Sequence, residues 1–300
     1  MNIFFSIAGI YIFIALGFAA KRHFAERIDE KTLVLVSVYL LQPMLVFWGL
    51  TVKPIDASVI KAPVVFTLFI LGILVLVALP ARHFFDDRKE RSIATVASII
   101  GNTGNLGIPL GIALFGEGSI IYTSIINLFN VFLVYTVGVY IYSKGSFSIS
   151  ESLKNIFRLP AIWFAFGAIA FNLLGLELPG GLEMPLSMGA YSTMVVQLMI
   201  FGIYLATVDK NDIPWRLLTF VTFVKFAFIP LAALMILSFL DLENIVYNVV
   251  LLELLVPMAV MNVNLAALYD CRPERVAFLT FATSAIFLIY LFAMAKWVFV

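Results

Sequence analysis

Two stretches of this 300-residue chain place amide side chains, glycines and prolines inside long apolar surroundings. The first is GNTGNLGIPLG, Gly101 to Gly111, which carries Asn102, Asn105 and Pro109; the second is VPMAVMNVN, Val256 to Asn264, with Pro257, Asn262 and Asn264. An asparagine amide both donates and accepts, so these four can hold a carboxylate, a hydroxyl or an N–H group. Glycine and proline interrupt a helix, and each new N-terminus offers free N–H groups and a partial charge of about +0.5, a place for an anion. Two ionisable residues also lie deep in apolar runs, Lys225 and Glu253. Each is about ten residues from the end of its run, roughly 15 Å, too deep for a side chain to snorkel out. Two roles are open to them: an ion pair that only joins two helices, or a pair that responds to a bound ligand or a proton.

The elements that must position these groups belong in a bilayer. Hydrophobic residues make up 63% of the chain, charged residues 12%, and the mean hydropathy is +1.07. Soluble domains run nearer roughly 45–50% apolar and 25% charged. Apolar runs long enough for a hydrocarbon core of roughly 30 Å fall at 2–20, 32–51, 62–82, 92–115, 118–142, 159–176, 185–207, 214–238, 243–269 and 274–298. The expectation is an all-α membrane protein of ten spans, with Gly101–Gly111 breaking span 4 and Pro257 breaking span 9. The longest connection, 143–158, is too short for a soluble domain, so any function resides in the spans.

The basic residues give an orientation. Lys21, Arg22, Arg27 and Lys31 follow span 1, and Arg82, Arg88, Lys89 and Arg91 separate spans 3 and 4. Lys144, Lys154, Arg158, Lys210, Arg216, Arg272 and Arg275 fall on the same face, against Lys53, Lys61 and Lys296 on the other. Cytoplasmic loops carry the positive excess, so both termini are expected outside a plasma membrane, the inner membrane in a bacterium. Trp48, Trp163, Trp215 and Trp297 stand near span ends, as interfacial rings prefer. The run 2–20 precedes its basic residues, the reverse of a cleavable leader, and reads as a retained first span.

Several function classes are excluded by what is missing. The chain has one cysteine, Cys271, and two histidines, His23 and His83, both in loops, so neither a disulfide nor a metal cluster is expected. No clustered basic face on a soluble module suggests nucleic acid. With one mid-span carboxylate and no intramembrane histidine, the constellation an intramembrane enzyme needs is missing too. No cofactor is called for.

The chain also repeats itself weakly. Gln42 in LLQPMLVFWG and Gln197 in VVQLMIFGIY stand at matching places in spans 2 and 7, and the broken spans 4 and 9 match in the same way. Five spans per half is an odd number, so residues 1–142 and 159–300 would insert as inverted repeats around the linker 143–158. Transporters built so carry their substrate site where broken helices meet at the midplane.

GNTGNLGIPLGIALFGEG in span 4, VPMAVMN in span 9 and the ten-span layout resemble the auxin efflux carrier family of membrane transporters, over essentially the whole chain. The resemblance implies a crossover fold. Spans 1, 2, 6 and 7 would form a scaffold that commonly dimerises, and spans 3–5 and 8–10 a moving transport domain. It implies alternating-access transport of an organic carboxylate, auxin-like or malate-like, with coupling to protons or sodium left open. The long loop between spans 5 and 6 of many plant members is absent.

Asn105 and Asn262 are the first candidates for substrate contact, with Asn102 and Asn264 beside them and Pro109 and Pro257 fixing the breaks. Lys225 and Glu253 would be the coupling pair under that reading. Span 5 lacks the ion-binding aspartate of sodium/proton antiporters and offers Asn127 and Asn130, which either line the cavity or bond a neighbouring helix. Gln42 and Gln197 face the same choice, as a static wall of the site or as links between helices. The competing readings are sodium-coupled uptake of an organic solute, a channel and a membrane sensor.

Overall fold

The computed structural model describes residues 3–143, 157–207 and 213–297. Among these the chain is helical throughout, with no strand and one isolated antiparallel bridge between Gly101 and Met258. The helices are α1 (Ile3–Phe24), α2 (30–51), α3 (Ala57–Phe84), α4 (Arg88–Ile99), α5 (Ile108–Phe115) and α6 (120–142). They continue as α7 (Pro160–Leu173), α8 (Gly180–Thr207), α9 (Trp215–Leu237), α10 (Asn244–Leu255), α11 (Met261–Leu268) and α12 (Pro273–Trp297). Six of them, α2, α3, α6, α8, α9 and α12, are long and apolar enough to cross a membrane. The linker expected at 143–158 lies largely outside the described residues.

Among the helices that start earlier than their apolar runs are α3 and α8. α3 begins at Ala57 because the Asp56 side chain caps it, accepting from Ser58 N at 2.9 Å and Val59 N at 3.0 Å. The Ser58 hydroxyl and those N–H groups hold the Asp56 carboxyl below its usual range. α8 begins at Gly180 and takes Pro185 into its helix; the first turns there are exposed, where water can serve the carbonyl the proline leaves free.

The helices pack in two groups. α1 lies along α8, and α2 packs against both α7 and α8. The closeness of α1 and α8 depends on two glycines: a Cβ on Gly17 would strike the Met199 carbonyl, and one on Gly202 the Ile14 carbonyl. Small residues allow such backbone approach between membrane helices. Asn172 of α7 then ties down the connection after α2. Its Nδ2 donates to Leu50 O at 2.8 Å and Lys53 O at 2.7 Å, and its Oδ1 accepts from Ile55 N at 2.8 Å.

In the second group α3 packs on α4, α6 and α10, α9 on α4, α10 and α12, and α11 on α12. An ion-pair network joins the starts of α4 and α12. Glu90 accepts from Arg272 at 2.7 Å and Arg275 at 2.6 Å, Asp87 accepts from Arg272 at 3.1 Å, and Lys89 pairs with Asp270 at 2.8 Å. The groups touch through α2 with α6 and α1 with α5.

Candidate functional site

The two interrupted segments meet. α4 stops at Ile99 and the chain extends through Ile100 (φ −82°, ψ 104°); α10 stops at Leu255 and Val256 takes φ −54°, ψ 147°. The residue before a proline is driven from helix into extended backbone, so Pro257 sets the second break through Val256. Across the gap Asn102 N donates to Pro257 O at 2.8 Å and Ala259 N to Ile100 O at 3.1 Å, flanking the Gly101–Met258 bridge. Each broken chain thus supplies hydrogen bonds that the other lost, which a dehydrated interior requires.

Helical winding resumes sooner after the first break than expected. A π turn covers Thr103–Gly107 and passes into α5, with Leu106 N and Gly107 N both bonded to Asn102 O at 3.2 and 3.1 Å. Pro109 is the second residue of α5, buried and beyond the break rather than at it. The wider π turn before it eases the clash between a proline ring and the preceding turn.

Beside the crossing lies a cavity of about 130 Å³. Gly101, Asn102, Thr103, Gly104 and Asn105 line one wall, Asn127, Asn130, Val134 and Tyr135 of α6 another, and Ala259, Val260 and Met261 a third. Gln42 of α2 and Gln197 of α8 close it from the first helix group, and the Gln197 Nε2 donates to Gln42 Oε1 at 3.3 Å. The two glutamines matched in the sequence repeat are therefore bonded to each other, wall and link at once.

Asn127 and Asn130 also play both parts. Asn130 Nδ2 donates to Gly101 O at 3.0 Å and to Thr103 Oγ1 at 2.9 Å, and the Thr103 hydroxyl donates onward to Asn127 Oδ1 at 2.8 Å. Thr103 is the residue that sequence reasoning missed. A hydroxyl between the two asparagines of GNTGN was the available signal.

Asn262 is placed differently. It is fully buried behind the cavity wall, its Nδ2 donating to Ala259 O at 3.0 Å and Ile100 O at 3.4 Å, with the Tyr142 hydroxyl on its Oδ1 at 3.5 Å. It braces the crossing, whereas Asn102 and Asn105 face the cavity. The Asn102 Nδ2 is buried with no hydrogen-bond partner among the described residues. The Asn264 side chain lies outside those residues.

Lys225 and Glu253 are each 1% exposed, yet they do not pair with each other. The Lys225 Nζ donates to Val256 O at 3.2 Å, at the carbonyl end of α10, where a cation offsets the helix dipole. The Glu253 carboxyl lies against Gly107 at the start of α5, so close that a Cβ on Gly107 would overlap it. Its two oxygens accept no hydrogen bond from the described residues.

The charge balance of the crossing follows. Of the carbonyls at the two helix C-terminal ends, Ile100 O and Gly101 O are covered by Ala259, Asn262 and Asn130, and Val256 O by Lys225. The starts of the 103–115 helix and of α11 instead line the cavity, so their partial positive charges face it.

Beyond Gln42 and Gln197, a separate apolar cluster joins Leu45 and Trp48 of α2, Ala190 and Met194 of α8, Ile108 of α5 and Ile120 of α6. Outside it the Tyr191 hydroxyl donates to Glu117 Oε1 at 2.6 Å. The cavity lining also includes Val34, Ser37 and Val38.

Comparison with known proteins gives the family. Residues 2–295 match the family described as membrane transport protein. An uncharacterized transporter of Methanocaldococcus jannaschii is 24% identical over 303 residues, covering 96% of this chain and 96% of that relative. With the family matched over nearly its whole length, the chain belongs to the membrane transport protein family, the auxin efflux carriers that its GNTGNLGIPLG segment resembles, and is an integral membrane transporter.

Proposed function

We propose that the chain is a ten-span secondary transporter for an organic carboxylate, auxin-like or malate-like, built as two inverted five-span repeats, 1–142 and 159–300. The observation that carries this reading is the asymmetry of the crossing: helix C-termini covered by donors, helix N-termini and asparagine amides open to one cavity. An uncharged wall with converging positive ends suits an anion that brings its own charge. Asn102 and Asn105 bind it, Asn127 and Asn130 shape the floor, and Asn262 and Pro257 hold the break. Sodium-coupled carriers use unwound carbonyls for the ion; here Lys225, Asn130 and Asn262 already engage them, which favours sodium-independent transport with Glu253 and Lys225 as the coupling groups.

In this reading spans 1, 2, 6 and 7 are a static scaffold that dimerises, and the remaining spans move against it. Both termini lie outside the plasma membrane. The cavity is then open to the cytoplasm, with the Trp48–Met194 cluster as the closed outer seal. Tyr191→Phe removes the hydroxyl that bonds Glu117 across this seal. It is expected to raise outside labelling of a cysteine placed at Ile120 several-fold; unchanged labelling would detach the seal from the transport cycle.

The decisive experiment is counterflow in proteoliposomes, with malate, indole acetate and other carboxylates each loaded unlabelled and followed as entry of the labelled form, without sodium. Trans-stimulated, saturable entry of one acid is expected, reduced about tenfold or more in Asn105→Ala by loss of a hydrogen bond to a charged group. Absence of counterflow for every anion, in protein shown to be folded, would overturn the carboxylate reading.

A further inference from the structure

Away from the crossing, α3, α4 and α6 line a furrow of about 910 Å³ at the arginine-rich end. Its mouth carries Arg82 at the end of α3 and Arg88 and Arg91 in the first turn of α4. Arg91 is fixed in place, its Nε on Phe85 O at 2.6 Å and its Nη2 on Asp86 O at 2.9 Å. The carboxylates of the same turn, Asp87 and Glu90, are engaged by Arg272 and Arg275 on the far side. Deeper in, the wall is Val75 and Leu79, 59% and 60% exposed. From Arg82 to Val75 the furrow runs about 10 Å at the rise of a helix, the upper part of an acyl chain.

We propose that this furrow is a binding site for one anionic phospholipid, the phosphate on Arg82, Arg88 and Arg91 and an acyl chain along Val75 and Leu79. Guanidinium groups match phosphate oxygens in pairs, and basic pockets between membrane helices select anionic headgroups. The bound lipid bridges α3, α4 and α6, three helices of one packing group. The proposal does not depend on which substrate the protein carries.

The test is native mass spectrometry of delipidated protein in detergent, incubated with phosphatidylglycerol or phosphatidylcholine of matched chains. Retention of phosphatidylglycerol about tenfold above phosphatidylcholine is expected, falling about fivefold in R82Q and to the phosphatidylcholine level in R82Q/R88Q. R82Q changes one exposed side chain and keeps the test valid if the double variant folds poorly. R22Q, which removes an arginine at the end of α1, is expected to retain lipid as the parent does. Equal retention of the two lipids, or an equal loss in R22Q, would overturn the site. So would removal of the phosphatidylglycerol adduct by inorganic phosphate alone, since the chain would then contribute nothing.

Discussion

Asn130→Asp is expected to lower counterflow about a hundredfold while changing the side chain's shape hardly at all. The Asn130 Nδ2 donates to Gly101 O and to Thr103 Oγ1, at 3.0 and 2.9 Å. A carboxylate has no proton to offer either, and it would set its oxygen against the Gly101 carbonyl oxygen in a buried position. Two lost hydrogen bonds of about 1–2 kcal/mol each come to about 3 kcal/mol, which is the hundredfold. The Thr103 hydroxyl is already committed to Asn127, so it answers Asn130→Asp only by breaking that bond. The measurement is initial counterflow rate beside thermal stability in detergent. Parent-like values of both would show that the hydrogen-bond chain from α6 does not hold the break.

Gly202→Val is expected to give the largest loss of stability. A Cβ at this position would overlap the Ile14 carbonyl and press on Phe18 N, both of them backbone atoms of α1 that no rotamer change can move. Overpacking against side chains costs about 1–3 kcal/mol, and here the helices themselves must separate, so about 3 kcal/mol or more is expected. The expected result is a midpoint lowered by many degrees, or aggregation on size-exclusion chromatography. Gly9→Val, on α1, where nothing lies within 4 Å of the added carbon, is expected to behave as the parent. Similar losses in both variants would show that the loss does not come from the close approach of α1 and α8 at Gly202.

Much of this arrangement is local and was readable without coordinates. Hydropathy located the six helices long and apolar enough to cross a membrane, because burial in a bilayer is decided residue by residue along one run. The second break was readable too, since Pro257 acts on Val256 directly, and the glycines of 101–111 marked the first. The amide-rich composition of the 101–111 and 256–264 segments was enough to mark them as the polar interior, and the GNTGNLGIPLG resemblance pointed to the family.

What the sequence left open were facings and pairings, which depend on how each helix is rotated against the others. Runs of π turn in α2, α6 and α9, at 36–41, 134–138 and 224–228, defeat a simple periodicity reading. Each extra residue in a turn rotates the following face by about 100°. Depth alone suggested that Lys225 would meet Glu253; packing instead put the ammonium on the Val256 carbonyl and the carboxyl against Gly107. Asn262 and Asn105 looked equivalent as mid-span amides, and only the crossing turned one into a brace and the other toward the cavity. Composition and local backbone chemistry thus determined that the chain is a broken-helix membrane protein. Long-range packing decided which polar groups face the cavity, because an amide turned toward a neighbouring carbonyl is satisfied there and one turned toward the cavity remains available to a ligand.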